Sequence, residues 1–152
     1  MSGAFLAIPA AALAVTLAAA TPDGAALTQL GMAGDWAIDC QKPVADDNPR
    51  VSFAVADGQA PQYIERGPGG SQGTAVISEV RALSGGQIAM TMTITDTLGG
   101  AGRQVVMNNV LVKTGDKFRF LEAKAAAGPA EISGGVIQAS GAPTKWLQKC
   151  GG

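Results

Sequence analysis

The chain has 152 residues, a formal net charge of −1, two cysteines, two tryptophans and no histidine. One domain with a substantial core is expected at this length. The lack of histidine removes Ser-His-Asp and Cys-His catalysis and the usual zinc sets. The near-neutral charge, with four Phe, two Trp and one Tyr spread along the chain, is not the basic, aromatic-lined groove of a nucleic-acid binder.

Residues 1–20, MSGAFLAIPAAALAVTLAAA, are uncharged and mostly Ala, Leu, Val and Ile. Ala18-Ala19-Ala20 followed by the polar TPDG predicts a signal peptide cleaved after Ala20, although no Lys or Arg leads it. An uncleaved anchor of about 20 apolar residues is the alternative. No Cys lies beside the cleavage site, which argues against a lipoprotein, and no later apolar run has spanning length. Export places the protein in the bacterial periplasm or outside the cell. Residues 21–33 read as a flexible leader with at most a short helical turn, and residues 34–152 as the folded domain.

From Gly34 the pattern is β. GDWAIDC (34–40) opens the domain, and VSFAVA (51–56) alternates up to the Asp57-Gly58 turn. QYIER follows, GPGGSQG (67–73) breaks the pattern, and GTAVISEVRAL (73–83) stops at Ser84-Gly85-Gly86. QIAMTMTITD (87–96) sets Ile88, Met90, Met92 and Ile94 on one face and threonines on the other. TLGGAG is the next turn. RQVVMNNVLVK (103–113) is nearly continuous in apolar residues, as for a strand covered on both faces or bulged near Asn108-Asn109. Thr114-Gly115-Asp116 leads into KFRFLEAK, with Phe118 and Phe120 on one side and Arg119 on the other. EISGGVIQA is an interrupted strand, GAPT a turn, and WLQKC the final strand. Eight or nine short strands with regular turn signals and no useful amphipathic helix predict an all-β fold, an antiparallel up-and-down barrel of about eight strands.

Export gives the cysteines their reading. A single pair near the two ends of the domain is most simply the disulfide Cys40–Cys150. The competing readings, a metal pair or a reactive thiol, lack a His or a third Cys to complete a site. Trp36 and Trp146 each stand four residues before a Cys. Residues four apart lie on one face of a strand, so each terminal strand is expected to offer a Trp and a thiol to the same side, and the four residues to pin the seam where the barrel closes.

Gly34-Asp35-Trp36 at the start of the first strand resembles the G-x-W signature of the lipocalins and their calycin relatives. That resemblance implies an up-and-down barrel in which Trp36 plugs the closed end. The family's T-D-Y element is matched only in its first two letters by Thr95-Asp96-Thr97. MAGDW (32–36) resembles the opening of the bacterial metalloprotease inhibitors, exported barrels whose flexible N-terminal leader enters the protease cleft. Their disulfide lies within the early strands, unlike the pair here.

Candidate chemistry is sparse. Glu65 and Glu79 lie on predicted strands and are the candidates for acid/base work, yet solvated, outward positions are the ordinary state of Glu. Asp46-Asp47-Asn48 lacks the alternating spacing of a calcium loop and reads as a turn. No P-loop or G-x-G-x-x-G is present. Phe53, Met90, Met92, Met107, Phe118 and Phe120 read as core, or as the lining of an apolar pocket if the barrel is hollow, with Tyr63 or Arg119 at its mouth to hold a polar head group. The expected function is non-enzymatic binding, without metal or cofactor, of a small apolar or amphipathic ligand. The alternative is inhibition of, or docking to, an envelope hydrolase through the leader or GPGGSQG.

Overall fold

The computed structural model describes residues 21–96 and 102–151. The expected signal segment and residues 97–101 of the TLGGAG turn lie outside the described residues. Among the described residues, ten strands follow one α-helix: α1 (Pro22–Gln29), β1 (Gly34–Ala37), β2 (Arg50–Ala54), β3 (Gln62–Arg66), β4 (Gln72–Ala82), β5 (Gln87–Asp96), β6 (Arg103–Thr114), β7 (Lys117–Ala125), β8 (Ala130–Ser133), β9 (Val136–Ile137) and β10 (Leu147–Cys150). Each strand from β1 to β7 pairs antiparallel with its successor, and β10 inserts between β1 and β7. The result is a closed eight-stranded antiparallel barrel. β8 and β9 form a hairpin hydrogen-bonded to the second half of β7, outside the ring.

The leader is not a free arm. Thr21 caps α1 through its hydroxyl, which accepts from Gly24 N at 3.3 Å, and Pro22 occupies the first turn where its missing N–H costs nothing. Gly31, at φ 69°, ends the helix, and Met32 N returns to Leu27 O at 2.8 Å. Leu27 and Met32 are fully buried in the barrel core. The small-residue composition of this segment hid its two apolar anchors, so the expected flexibility is corrected to a cap on one end of the barrel.

That cap also repairs a defect in the sheet. Ser78 pairs with Thr91 but Arg81 with Ala89, so β4 carries an extra residue at a bulge where Glu79 adopts φ 54°. The neighbouring Val80 N–H donates to Asp23 Oδ1 of α1 at 2.8 Å. A second shift, between Val110 and Leu111, places an extra residue on β7 at Leu121. The irregularity expected near Asn108-Asn109 is therefore carried by the partner strand. β6 itself alternates: Met107, Asn109 and Leu111 are buried between more exposed neighbours.

Inside, a chain of aromatic rings runs from the capped end upward. Trp36 meets Phe118 edge-on at 4.9 Å, and Phe118 meets Phe53 at 5.6 Å and Phe120 at 5.9 Å. Tyr63 closes the series against Phe53 and Phe120 at 5.6 and 6.3 Å. Such pairs add about 0.5 to 1.5 kcal/mol each beyond their buried area. Ile77, Ile88, Met90, Met92, Met107 and Leu111 fill the rest. At the capped end a tight turn brings Gly86 so near β6 that a Cβ there would meet Lys113 O at 2.7 Å, with φ at +72°.

Cys40 and Cys150 are joined, with Cα atoms 5.5 Å apart and a sequence separation of 110. The shared-face expectation for the two Trp-Cys phrases does not survive. Leu147 and Lys149 of β10 face inward, so Cys150 faces outward, and Cys40 lies beyond β1 after a bend at Ile38. Trp36 is fully buried, whereas Trp146 precedes β10, is 39% exposed, and lies beneath the Arg119 guanidinium at 5.1 Å. The seam is pinned from the outer wall by the disulfide and from within by one tryptophan. Closing so long a loop stabilises the fold by about 4 to 5 kcal/mol in the chain-entropy account, similar to truncating one large core ring at about 3 to 5 kcal/mol. Urea titration with and without reductant is expected to show a loss of that size on reduction, with a cooperative transition retained because the aromatic core is intact.

Candidate functional site

One end of the barrel is sealed and the other is not. At the sealed end Trp36 Nε1 donates to Met32 O at 2.8 Å. Lys149 Nζ sits 5.6 Å from the Trp36 ring centroid and donates to Gly31 O at 3.1 Å, tying β10 to the end of α1. At the opposite end, the β1–β2 loop, the β3–β4 loop and the segment after β9 surround a mouth.

The mouth holds a cavity of about 320 Å³. Ile38, Val51, Phe120, Ile132, Ile137 and Leu147 supply apolar walls, joined by Pro49, Ala142, Pro143 and Thr144. Asp46, Asp47, Glu65 and Lys145 supply charge, and Tyr63 stands at the edge. Across the Tyr63–Glu65 ridge lies a second hollow of about 370 Å³, lined mainly by the polar and glycine residues of GPGGSQG and by Ile94. The first is the better small-molecule site, because such sites are mostly apolar with a few placed polar groups and begin near 300 Å³.

Period-two alternation places Tyr63 and Glu65 on the inward face of β3 at the rim. Tyr63 Oη donates to Glu65 Oε2 at 3.0 Å. Burial raises the ionisation of the Tyr63 phenol well above its ordinary 10.0, and the Glu65 charge and the hydrogen bond to it push the same way. Glu65 is thus water-exposed but on the interior side, contrary to its expected outward position. Glu79 lies on the outer wall, where its Oε2 accepts from Thr91 Oγ1 at 2.8 Å. The two carboxylates share no cavity and form no acid/base pair.

No family model, curated protein or solved structure matches this chain.

Of the residues expected to line a pocket, the structure brings Tyr63 and Phe120 into the mouth. Phe53, Met90, Met92, Met107 and Phe118 belong to the packed core, each no more than 6% exposed. Arg119 faces away from Phe118 and Phe120 and stacks on Trp146 outside, so it does not reach the mouth; its Nε is buried without a hydrogen-bond partner. Among the described residues, the barrel is filled below Tyr63 and open above it.

The residue that sequence reasoning missed is Asn48. Buried at 5% exposure, its side-chain amide donates to the carbonyls of Asp39 (3.0 Å), Lys42 (3.3 Å) and Pro43 (3.0 Å), and its Oδ1 accepts from Asp39 N at 2.9 Å. What read as an ordinary Asp-Asn-Pro turn is a loop wound around one amide, which holds Asp46 and Asp47 at the mouth. Among the described residues, no three His, Cys, Asp or Glu side chains converge as a metal set.

Asn48→Ala orphans those backbone groups, and chemical denaturation is expected to show a loss of about 2 to 4 kcal/mol; Asp47→Asn, beside it and exposed, is expected to stay close to wild type. Tyr63 is the chain's single tyrosine, so tyrosinate absorbance reads it alone. In the folded protein its midpoint is expected above 10.0, in denaturant near 10.0, and in Glu65→Gln lower than wild type but still raised, since burial is the larger cause. The neutral phenol is the form favoured by folding. Its contribution to stability is full below the unfolded value and is lost as pH rises through the folded one. A folded midpoint at the ordinary value would show a hydrated hydroxyl.

Proposed function

We propose that this is an exported, non-enzymatic binding protein that holds a small amphipathic molecule in the mouth of its barrel. The observation that carries the reading is the contrast between the two ends: one is closed by α1, Trp36 and Lys149, the other keeps an apolar cavity of about 320 Å³ with polar groups only at its rim. Because the barrel is packed beneath Tyr63, the ligand sits in a shallow cup rather than a deep calyx. A cavity at the low end of the small-molecule range suits a short chain or a single ring.

The G-x-W opening and the closed antiparallel barrel are compatible with a lipocalin-like relationship and are shared by the metalloprotease inhibitors. Inhibition through the leader finds no support in the geometry, since Leu27 and Met32 are buried and Asp23 is bonded to β4. Export is favoured by the uncharged apolar segment before Thr21 and by the disulfide.

Titration of the purified protein with N-phenylnaphthylamine, a neutral apolar fluorophore, tests the reading. Saturable one-to-one binding is expected, lost in Ala142→Trp, which fills the cup from its exposed wall. Binding undiminished by that variant would move the site elsewhere, and no binding at all would reject the cup as a ligand site.

A further inference from the structure

Resting on the cup as the binding site, we infer that its ligand is cationic: a small amphiphile with an ammonium head and an apolar body. Three carboxylates, Asp46, Asp47 and Glu65, border the cavity against the single ammonium of Lys145. None of the three is ion-paired among the described residues, where the one salt bridge joins Lys42 to Asp39. The Glu65 carboxylate already accepts the Tyr63 hydroxyl, so it faces the cup as an acceptor with spare lone pairs and no donor of its own.

The aromatic groups point the same way. Tyr63 and Phe120 lie edge-to-face at 6.3 Å on the cavity wall, and an alkylammonium lodged beside them gains attraction from the ring faces that a carboxylate does not. An anionic head group, as on a fatty acid, would bring a fourth negative charge to the same rim. Against a wall partly shielded from water, charge–charge interactions exceed their value in bulk solvent, so the sign of the head group decides between otherwise equal chains. The two acidic residues of the β1–β2 loop are held at the rim by the Asn48 scaffold rather than placed at random on a mobile surface.

The test compares three probes of one chain length by calorimetry: octyltrimethylammonium, octanol and octanoate, each below its aggregation threshold. The cation is expected to bind at least about tenfold more tightly than the anion, with the alcohol between them, and the preference is expected to shrink with added salt. Neutralising the rim with Asp46→Asn, Asp47→Asn and Glu65→Gln together should erase the preference for the cation over the anion. The single variant Glu65→Gln serves as the readout if the triple variant fails to fold. Equal binding of all three probes, or a preference for octanoate, overturns the cationic assignment while leaving the cup as a site. Failure of all three to bind overturns the cup as well.

Discussion

Trp36 is where the chain's distant parts are made to agree. Its indole N–H is satisfied by Met32, its edge packs on Phe118 of β7, and Lys149 of β10 covers its face while reaching Gly31. A fully buried indole needs both a hydrogen-bond partner and a shaped apolar surround. Here one comes from the loop after the helix and the other from strands that close the ring. The position of the helix, the inward face of β1 and the insertion of β10 between β1 and β7 are therefore parts of one arrangement. Because this end is filled by a ring and a cap, the apolar cavity is left to the far end.

The strands were legible because their chemistry is local. Alternation in QIAMTMTITD and the glycine-containing turns at Gly58, Gly86 and Gly115 correspond to β5 and to the connections on either side of the long strands. The pairing of Cys40 with Cys150 followed from their number and the expected compartment. The helix was not legible, because Pro22–Gln29 has no clear amphipathic stripe; Leu27 and Met32 anchor it through tertiary contacts that periodicity does not report. The matching Trp-Cys phrases misled for a related reason. Strand alternation was extended across residues 38–40, where the backbone bends, so thiol and indole lie on different sides of the wall.

The cup at the mouth was legible only in fragments. Tyr63 and Phe120 follow from strand parity, but core methionines and lining methionines look identical in sequence, and only the continuous ring contacts from Trp36 to Tyr63 decide for core. Asp46 and Asp47 looked like turn residues because Asn48 contributes nothing periodic: its role consists of backbone carbonyls gathered around one amide. Glu65 shows the limit of reasoning from side-chain type. A rim position on the inner face of a barrel is both hydrated and directed at the cavity, so a solvated glutamate is not necessarily an outward one.

The seam has a consequence for how the molecule is made. β10, the last strand, must find β1, the first, as well as β7, and long-range pairings of this kind are slow because chain entropy must be spent before contacts return it. Until then β1 and β7 are open edges, each able to recruit a strand from another molecule. The Cys40–Cys150 bond limits that interval on the β1 side, since it ties the end of β10 to the segment just beyond β1. The outer-wall cystine thus governs more than equilibrium stability: it shortens the time for which the edge of β1 is available to a strand from another molecule.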